Sequence, residues 1–286
     1  MGKNVVRTIL CTILSFLLSL ALVGLAILFI IRLSCFDRNS LYRNLISSAY
    51  YQNVLSEIYE KAESITLTTG LSVEVLNNSM VLDEVKNDIN NYIKVGFRGE
   101  TYEPDTTLIE KRLRENINDY LAQERIEPNQ EQKKNIKLYV SSVTEEYTNF
   151  IKIPLFNFFI TAKENYSNIY IIGLASFIIT IIIVVSMLLI MNQWIHRALR
   201  YMAYSTTAAA FMIATAPAAL LYTGLYKKLQ LSPQYFYDFA MTFLTDIFRT
   251  MIYCSFCLAV ISIILLVKIR FIKIKKADRK GKSVFE

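Results

Sequence analysis

Residues 169–191 read IYIIGLASFIITIIIVVSMLLIM and contain no charged side chain. An α-helix needs about 20 apolar residues to cross the hydrocarbon core of a bilayer, where every backbone N–H and C=O must be satisfied within the helix. The stretch is long enough and therefore predicts a transmembrane helix. It decides the fold class, because stretches of the same kind lie on both sides of it.

These other apolar stretches are residues 9–33, 201–225 and 251–267. We expect 9–33 to be an uncleaved anchor, because a signal peptide has only about 7–15 apolar residues; cleavage, or lipidation at Cys35, is the alternative. The stretch 201–225 is milder and rich in alanine. The sequence predicts an all-α polytopic membrane protein with four transmembrane helices. In a three-helix alternative, residues 201–225 form a soluble buried helix.

The overall composition supports this fold class. The 286 residues are 53% hydrophobic and 19% charged, with mean hydropathy +0.34. Soluble domains have about 45–50% apolar and about 25% charged residues. An ordinary cytosolic enzyme, a disordered tail and a disulfide-rich secreted domain are excluded as classes.

Lysine and arginine side chains predict the orientation. Residues 268–282 carry eight of them, and Lys3 and Arg7 precede the first apolar stretch. Because such residues favour the cytoplasmic side, we expect a multi-pass protein of the cell (plasma) membrane with both termini in the cytoplasm. Low glycine and abundant Ile, Lys, Asn and Tyr indicate an AT-rich bacterial genome.

The predicted organisation alternates between the two sides of the membrane. In chain order it comprises a cytoplasmic N-terminus with transmembrane helix 1 (1–33), an extracytoplasmic helical domain (34–168), transmembrane helix 2 (169–192), a cytoplasmic loop (193–200), transmembrane helix 3 (201–226), an extracytoplasmic loop with an interfacial helix (227–246), transmembrane helix 4 (247–270) and a basic cytoplasmic tail (271–286).

The segment 34–168 is long enough for a core of its own. Its apolar residues recur at helical spacing, which predicts a large extracytoplasmic helical bundle between helices 1 and 2. Alternatively, these helices pack loosely and become ordered only against a partner. The four stripes are Tyr51, Leu55, Ile58, Ala62 and Ile65; Leu82, Val85, Ile89 and Tyr92; Ile109, Leu113, Ile117 and Tyr120; and Ile136, Tyr139, Val143, Tyr147 and Phe150.

Local signals predict where several of these helices begin and end. Gly70 can adopt positive φ and end the first helix. Thr107 and Glu110 have the spacing of a capping box, so a helix should begin there. Asn129 is a candidate N-cap for the fourth helix.

Charge is divided unevenly along the chain. The segment 34–168 has 15 Lys and Arg and 20 Asp and Glu, a net charge of −5, and the remainder has a net charge of +12. The overall charge of +7 therefore comes from the basic residues that set the orientation of the chain in the membrane. It does not indicate that the chain binds an acidic substrate.

No motif predicts a catalytic, cofactor or metal site, and we expect a protein that is not an enzyme. His196 is the one histidine of the sequence, and no phosphate-binding, dinucleotide-binding, serine-hydrolase or zinc-protease motif is present. Cys254 and Cys257 form a C-x-x-C pattern inside an apolar stretch, where a buried structural pair is favoured over a redox site.

Small residues recur every fourth position of the third transmembrane stretch, which allows close helix packing. We expect this face to pack within the chain; the alternative is contact with a second copy, as a homo-oligomer, or with a partner subunit. The residues are Thr206, Ala210, Ala214 and Ala218.

The fourth transmembrane stretch follows an aromatic segment. Ser232 as N-cap and Pro233 as the first helical residue predict a helix start. The aromatic residues favour a belt at the outer membrane interface; the alternative is a helix that couples the outer domain to the membrane. Asp246 and Arg249 are expected to pair locally, or to contact the outer domain. The candidate residues for this belt or coupling are Tyr235, Phe236, Tyr237, Phe239, Asp246 and Arg249.

The basic tail predicts contact with anionic lipid headgroups of the bilayer. Nucleic-acid binding is not expected, because these charges lie beside a membrane span and no nucleic-acid-binding domain accompanies them. The candidate headgroup residues are Lys273, Lys275, Lys276, Arg279 and Lys280.

The features together predict a non-enzymatic integral membrane protein of a bacterial envelope. Its outer helical domain would bind a protein or ligand, and the chain would act as an accessory, sensor or assembly subunit. The layout of one large outer loop followed by three compact spans resembles the FtsX/MacB-type permeases of ABC transporters. That resemblance covers topology alone and implies, as the alternative, a permease-like subunit of a transport complex. An intramembrane or lipid-modifying enzyme is less favoured.

Overall fold

The computed structural model of the chain describes the backbone of residues 2–192 and 194–282 and the side chains of residues 5–192 and 194–274. The structure is 85% helical, and no strand occurs within these ranges. The prediction of an all-helical fold is confirmed.

Nine α-helices follow one another over these ranges. They are α1 (Gly2–Ile30, continued by a π-helical turn at Ile31–Cys35), α2 (Arg38–Ser47), α3 (Tyr50–Thr69), α4 (Leu82–Gly96), α5 (Thr107–Gln123), α6 (Gln130–Ile151), α7 (Phe156–Met191), α8 (Ile195–Thr223) and α9 (Gln234–Lys282). Short 3₁₀ turns lie at Val73–Leu76 and Leu225–Lys228.

Four helices are long and apolar enough to cross a membrane. They are α1, α7, α8 and α9, so the prediction of four such helices is confirmed. The helix α8 is the least apolar of them but still meets the requirement, which favours the four-helix prediction over the three-helix alternative.

The chain divides into two compact units. We call Met1–Leu41, Asn165–Leu229 and Phe243–Glu286 the transmembrane unit, and Tyr42–Glu164 with Gln230–Thr242 the helical unit. The helices α7 and α9 each contribute residues to both units, and neither helix is interrupted at the unit boundary.

Close helix approach characterises the transmembrane unit. Ala203 and Ala209 of α8 are buried, and α8 packs along α1. A Cβ atom on Gly24 of α1 would lie 2.3 Å from Cζ of Phe177 in α7. Small side chains therefore let these backbones approach each other, as is common in membrane bundles.

Hydroxyl groups link the helices of this unit. The Oγ of Ser205 in α8 lies 2.8 Å from Oγ of Ser15 and 2.7 Å from the Ser15 carbonyl oxygen in α1. Thr207 Oγ1 of α8 lies 2.6 Å from Oγ of Ser262 in α9. In a hydrocarbon environment such bonds contribute about 0.6–1.7 kcal/mol each, so α8 is joined to both neighbours.

The helical unit has a conventional apolar core. The stripes of α3, α4, α5 and α6 face one another, and α6 contacts the other three helices. The most deeply buried side chains of these helices are Tyr50, Val54, Ile58, Thr66, Val85, Ile89, Ile93, Leu113, Ile117, Val140, Val143, Tyr147 and Ile151. The predicted helices are confirmed, and each stripe is buried at its centre, whereas stripe residues such as Leu55, Ile65 and Ile136 are half-buried.

Two of the predicted helix ends are confirmed. Gly70 follows α3 with φ of 75°. The side chain of Asn129 accepts a hydrogen bond from the Gln132 N–H at 2.8 Å, and Gln132 Oε1 accepts one from the Asn129 N–H at 2.8 Å. This reciprocal pair is a capping box, which explains why α6 begins there.

The predicted start of α5 at Thr107 is confirmed, whereas the predicted start of α9 is wrong by one residue. Thr107 is the first residue of α5, with Thr106 as its N-cap. The capping box with Glu110 does not form, and the Thr107 N–H and O–H both donate to Asp105 Oδ1, at 3.0 and 2.5 Å. The helix α9 begins at Gln234, because the carbonyl of Pro233 accepts the first hydrogen bonds of the helix. Pro233 therefore precedes the helix.

Ser205→Ala should weaken the transmembrane unit, because it removes the hydroxyl that joins α8 to α1. We expect a loss of about 1 kcal/mol in the free energy of unfolding, measured by denaturant unfolding in mixed micelles. Thr215→Ala is the matched control, since Thr215 is exposed and donates to Phe211 of its own helix. Equal losses for both variants would contradict the assignment.

Candidate functional site

The helical unit contains an open cavity of about 580 Å³. One wall is the end of α4 with the loop that follows it, and the opposite wall is the beginning of α7. Tyr92, Tyr102 and Phe156 supply aromatic surface to the cavity. Its combination of concave shape, aromatic lining and a few charged groups is typical of a binding site.

The end of α4 approaches α7 closely because it lacks a side chain there. A Cβ atom on Gly96 would lie 2.4 Å from Cε1 of Phe156. The ring of Phe156 also packs against Tyr92 and Phe159, with centroid distances of 5.1 and 6.0 Å. Phe156 is buried, so the first turn of α7 is anchored to α4 by this contact.

The loop wall is held by a carboxylate. Asp88 of α4 accepts a hydrogen bond from the Tyr102 O–H at 2.7 Å through Oδ1 and one from the Tyr147 O–H at 2.6 Å through Oδ2. Burial, together with the Asp88 carboxylate, raises the pKa of Tyr102 to about 12. Tyr102 is therefore neutral at physiological pH and remains a hydrogen-bond donor to Asp88.

The charged residues at the cavity are mostly acidic. Among the residues that the structure describes, Glu100, Glu103 and Glu164 line it together with one basic residue, Lys152. The surface potential of such a cavity favours a cationic group. Its chemistry suits a ligand or protein segment that combines positive charge with apolar surface.

The aromatic residues at the start of α9 are buried within the helical unit. Tyr235, Phe236 and Phe239 are 5–8% exposed, and Tyr237 is half-buried. The ring of Tyr50 packs edge-on against Tyr235 and Phe239, with centroid distances of 5.4 and 5.6 Å. The sequence identified this aromatic segment, but its contact with α3 is visible only in the structure.

The small residues of α8 lie on more than one face. Thr206 and Ala210 are buried, Ala214 is half-buried, and Ala218 is exposed. Each step of four residues turns about 40° past a full turn, so a series at this spacing drifts around the helix. The buried face continues through other residues, Ile213 and Pro217.

The remaining predicted residues lie in the transmembrane unit. Asp246 Oδ2 accepts a hydrogen bond from the Ser40 hydroxyl at 3.4 Å, and Arg249 is exposed. Lys273 lines a cavity at one end of this unit. The side chains of the other four candidate headgroup residues, Lys275, Lys276, Arg279 and Lys280, lie outside the described residues.

Cysteine and histidine side chains form no recognisable centre in the part of the chain that the structure describes. All four cysteines are unbridged, and Cys257 is exposed on α9. Cys254 is half-buried and packs beside Ala26, Ile30 and Ile213, and the expectation of a structural pair at Cys254 and Cys257 stays a prediction. Over the described residues no group of three or more His, Cys, Asp or Glu could hold a metal ion.

Comparison of the chain with protein-family models, with curated proteins and with solved structures finds no match. No residue role is therefore transferred from a relative. The cavity between α4 and α7 is the candidate functional site because of its geometry. No sequence motif indicated it; the usable signals were the glycines at 96 and 99 beside an aromatic-rich segment.

Gly96→Ala should destabilise the helical unit, although alanine is the better helix former. The added methyl group meets the rigid Phe156 ring, and overpacking of this kind costs about 1–3 kcal/mol. Heat denaturation followed by circular dichroism measures the loss. The same Gly96→Ala change should cost less stability when Phe156 is replaced by leucine. The loss from Phe156→Leu to Gly96→Ala/Phe156→Leu should therefore be smaller than the loss from wild type to Gly96→Ala. Additive effects of the two changes would argue against direct contact.

Proposed function

We propose that the chain is a non-enzymatic integral membrane protein of a bacterial envelope. In this proposal the helical unit lies outside the cell membrane, binds a protein or ligand, and makes the chain an accessory, sensor or assembly subunit. One observation carries the proposal: a wall of the cavity is formed by the first turns of α7, the same helix that continues without interruption to Met191 as a candidate membrane span.

The geometry of α7 supports a role in transmission. Phe156, Ile160 and Glu164 are spaced four residues apart and all line the cavity, so they lie along one side of the helix. A ligand in the cavity would contact this side directly. Because the helix is continuous, a displacement of its first turns would be passed along the helix into the membrane span.

The helix α9 supports the same role from a second position. Its residues as far as Thr242 belong to the helical unit, and the residues from Phe243 onward belong to the transmembrane unit. Tyr235 and Phe239 are held against Tyr50 of α3. We infer that movements of the α3–α6 core reach the membrane through two helices.

The charge of the cavity supports a partner class. With three glutamates and one lysine in the lining, a partner segment that presents Lys or Arg beside apolar side chains is favoured. A neutral or anionic ligand would leave the carboxylates uncompensated. Electrostatic complementarity of this kind contributes mainly to specificity and to the rate of association.

The proposed orientation can be tested by labelling whole cells with a membrane-impermeant maleimide. In a variant with the four native cysteines replaced by serine, Thr68→Cys of α3 should react in intact cells. Ser283→Cys of the tail should react after permeabilisation only, because Lys and Arg favour the cytoplasmic side. The reverse pattern would contradict the proposed orientation.

The proposed binding role can be tested by affinity purification of the full chain from native membranes in mild detergent. We expect a stoichiometric partner whose recovery falls about tenfold in Glu103→Gln/Glu164→Gln, because a loss of about 1.4 kcal/mol in binding corresponds to that factor. Glu115→Gln/Glu145→Gln removes the same charge from exposed positions outside the cavity lining and should retain the partner. A chain that purifies alone would contradict this proposal, and a co-purifying ATPase would favour the permease-like alternative.

A further inference from the structure

A second cavity lies at one end of the transmembrane unit and has a volume of about 250 Å³. It is formed by the first turns of α1, Asn192 after α7, the first turns of α8 and the region of α9 around Ile269. All four helices that could cross a membrane therefore contribute to it or end beside it. The cavity is far larger than the roughly 30 Å³ that one water molecule occupies in the liquid.

The lining of this cavity is strongly basic. Arg7, Arg197, Arg200 and Lys273 all line it, together with His196. None of the lining residues among the described part of the chain is acidic. Four permanent positive charges around one small cavity repel one another, and the arrangement favours the entry of an anion that relieves this repulsion.

The sequence around these cations also lacks acidic residues. Residues 1–36, 165–237 and 247–277 contain no Asp or Glu. Asp278, five positions after Lys273, is the acidic residue closest in sequence to any of the four cations. The positive charge of the cavity is thus a property of whole segments of the transmembrane unit.

The base of the cavity is rigidly packed. Cys11 and Leu188 are 1% and 0% exposed and belong to one apolar cluster, against which Tyr201 also packs. The buried side chain of Asn192 donates hydrogen bonds to the Leu188 carbonyl oxygen at 2.8 Å and to Sγ of Cys11 at 3.4 Å. The helices α1 and α8, which carry the three arginines, are therefore packed together with α7 beside the cavity.

The identity of the cations points to phosphate. A guanidinium group presents a planar fork of donors that matches two phosphate oxygens, and three of the four permanent cations are arginines. The cavity also includes residues from the first turn of α8, where backbone N–H groups and the helix dipole add positive potential. This is a donor set suited to a phosphate monoester or diester.

We propose that this cavity is a binding site for a phosphate group. The site is separate from the cavity of the helical unit and does not depend on the function proposed for it. The phosphate can come from the headgroup of an anionic phospholipid or from a soluble phosphate compound, because the same cations recognise both. The proposal differs from general attraction of a basic tail to the membrane, because it requires basic side chains of α1, α8 and α9 to bind one phosphate group.

Two probes distinguish the sources. The full chain in detergent micelles is titrated with short-chain phosphatidylglycerol or phosphatidylcholine, and bound lipid is counted by native mass spectrometry. Inorganic phosphate is tested by equilibrium dialysis at constant ionic strength. We expect one phosphatidylglycerol to bind about tenfold more tightly than phosphatidylcholine. If inorganic phosphate displaces phosphatidylglycerol, a soluble phosphate compound is a second source of the ligand. If inorganic phosphate binds and phosphatidylglycerol does not, the ligand is a soluble compound and not a lipid.

The variants test the cavity itself. Arg197→Gln/Arg200→Gln should reduce affinity for the bound probe at least about tenfold. Lys227→Gln/Lys228→Gln removes the same charge beyond the opposite end of α8 and should retain the affinity of the wild type. Arg7→Gln, on a different helix, should also lose affinity and provides the test if the double arginine variant does not fold.

Heat denaturation supplies a second measurement. A ligand that binds the folded state alone raises its apparent stability, so the bound probe should raise the denaturation midpoint of the wild type and not that of folded Arg7→Gln. The proposal is overturned if neither probe binds, if the arginine variants bind as the wild type does, or if the lysine control loses as much affinity as they do.

Discussion

Within a bilayer no water satisfies a backbone N–H or C=O, and a chain that crosses it must remain helical throughout. Residues 169–191 of α7 and the apolar length of α9 meet this constraint, because both are uninterrupted helix. Both helices begin among residues of the helical unit. The cavity wall on α7 and the aromatic contacts of α9 are therefore parts of the same two helices that could span the membrane.

The two units are stabilised by different forces. In the helical unit, burial of apolar side chains such as Ile58 and Ile89 removes surface from water, at about 25 cal/mol per Å². That gain is absent between helices surrounded by lipid, because the tails are as apolar as the side chains. Close approach at Gly24 and the hydroxyl contact between Ser15 and Ser205 replace it.

Much of the fold could be predicted because it follows from local periodicity. The stripes of α3–α6, the four apolar helices and the cap at Asn129 are all visible within short windows of sequence. The helix start at Thr107 was predicted correctly, but its capping box was not, because the Thr107 side chain donates to Asp105 instead. The spacing of small residues on α8 likewise identified a packing face at Thr206 but not its drift toward the exposed Ala218.

The sequence alone determined that the chain is helical, that four of its helices are apolar enough to cross a membrane, and how charge is divided along it. These properties depend on residues close together in the chain. Only the tertiary structure brought Arg7, Arg200 and Lys273 to one cavity, and Tyr92 and Phe156 to another. Such convergence depends on how distant helices pack, and the periodicity of one helix carries no information about the face of another that it meets.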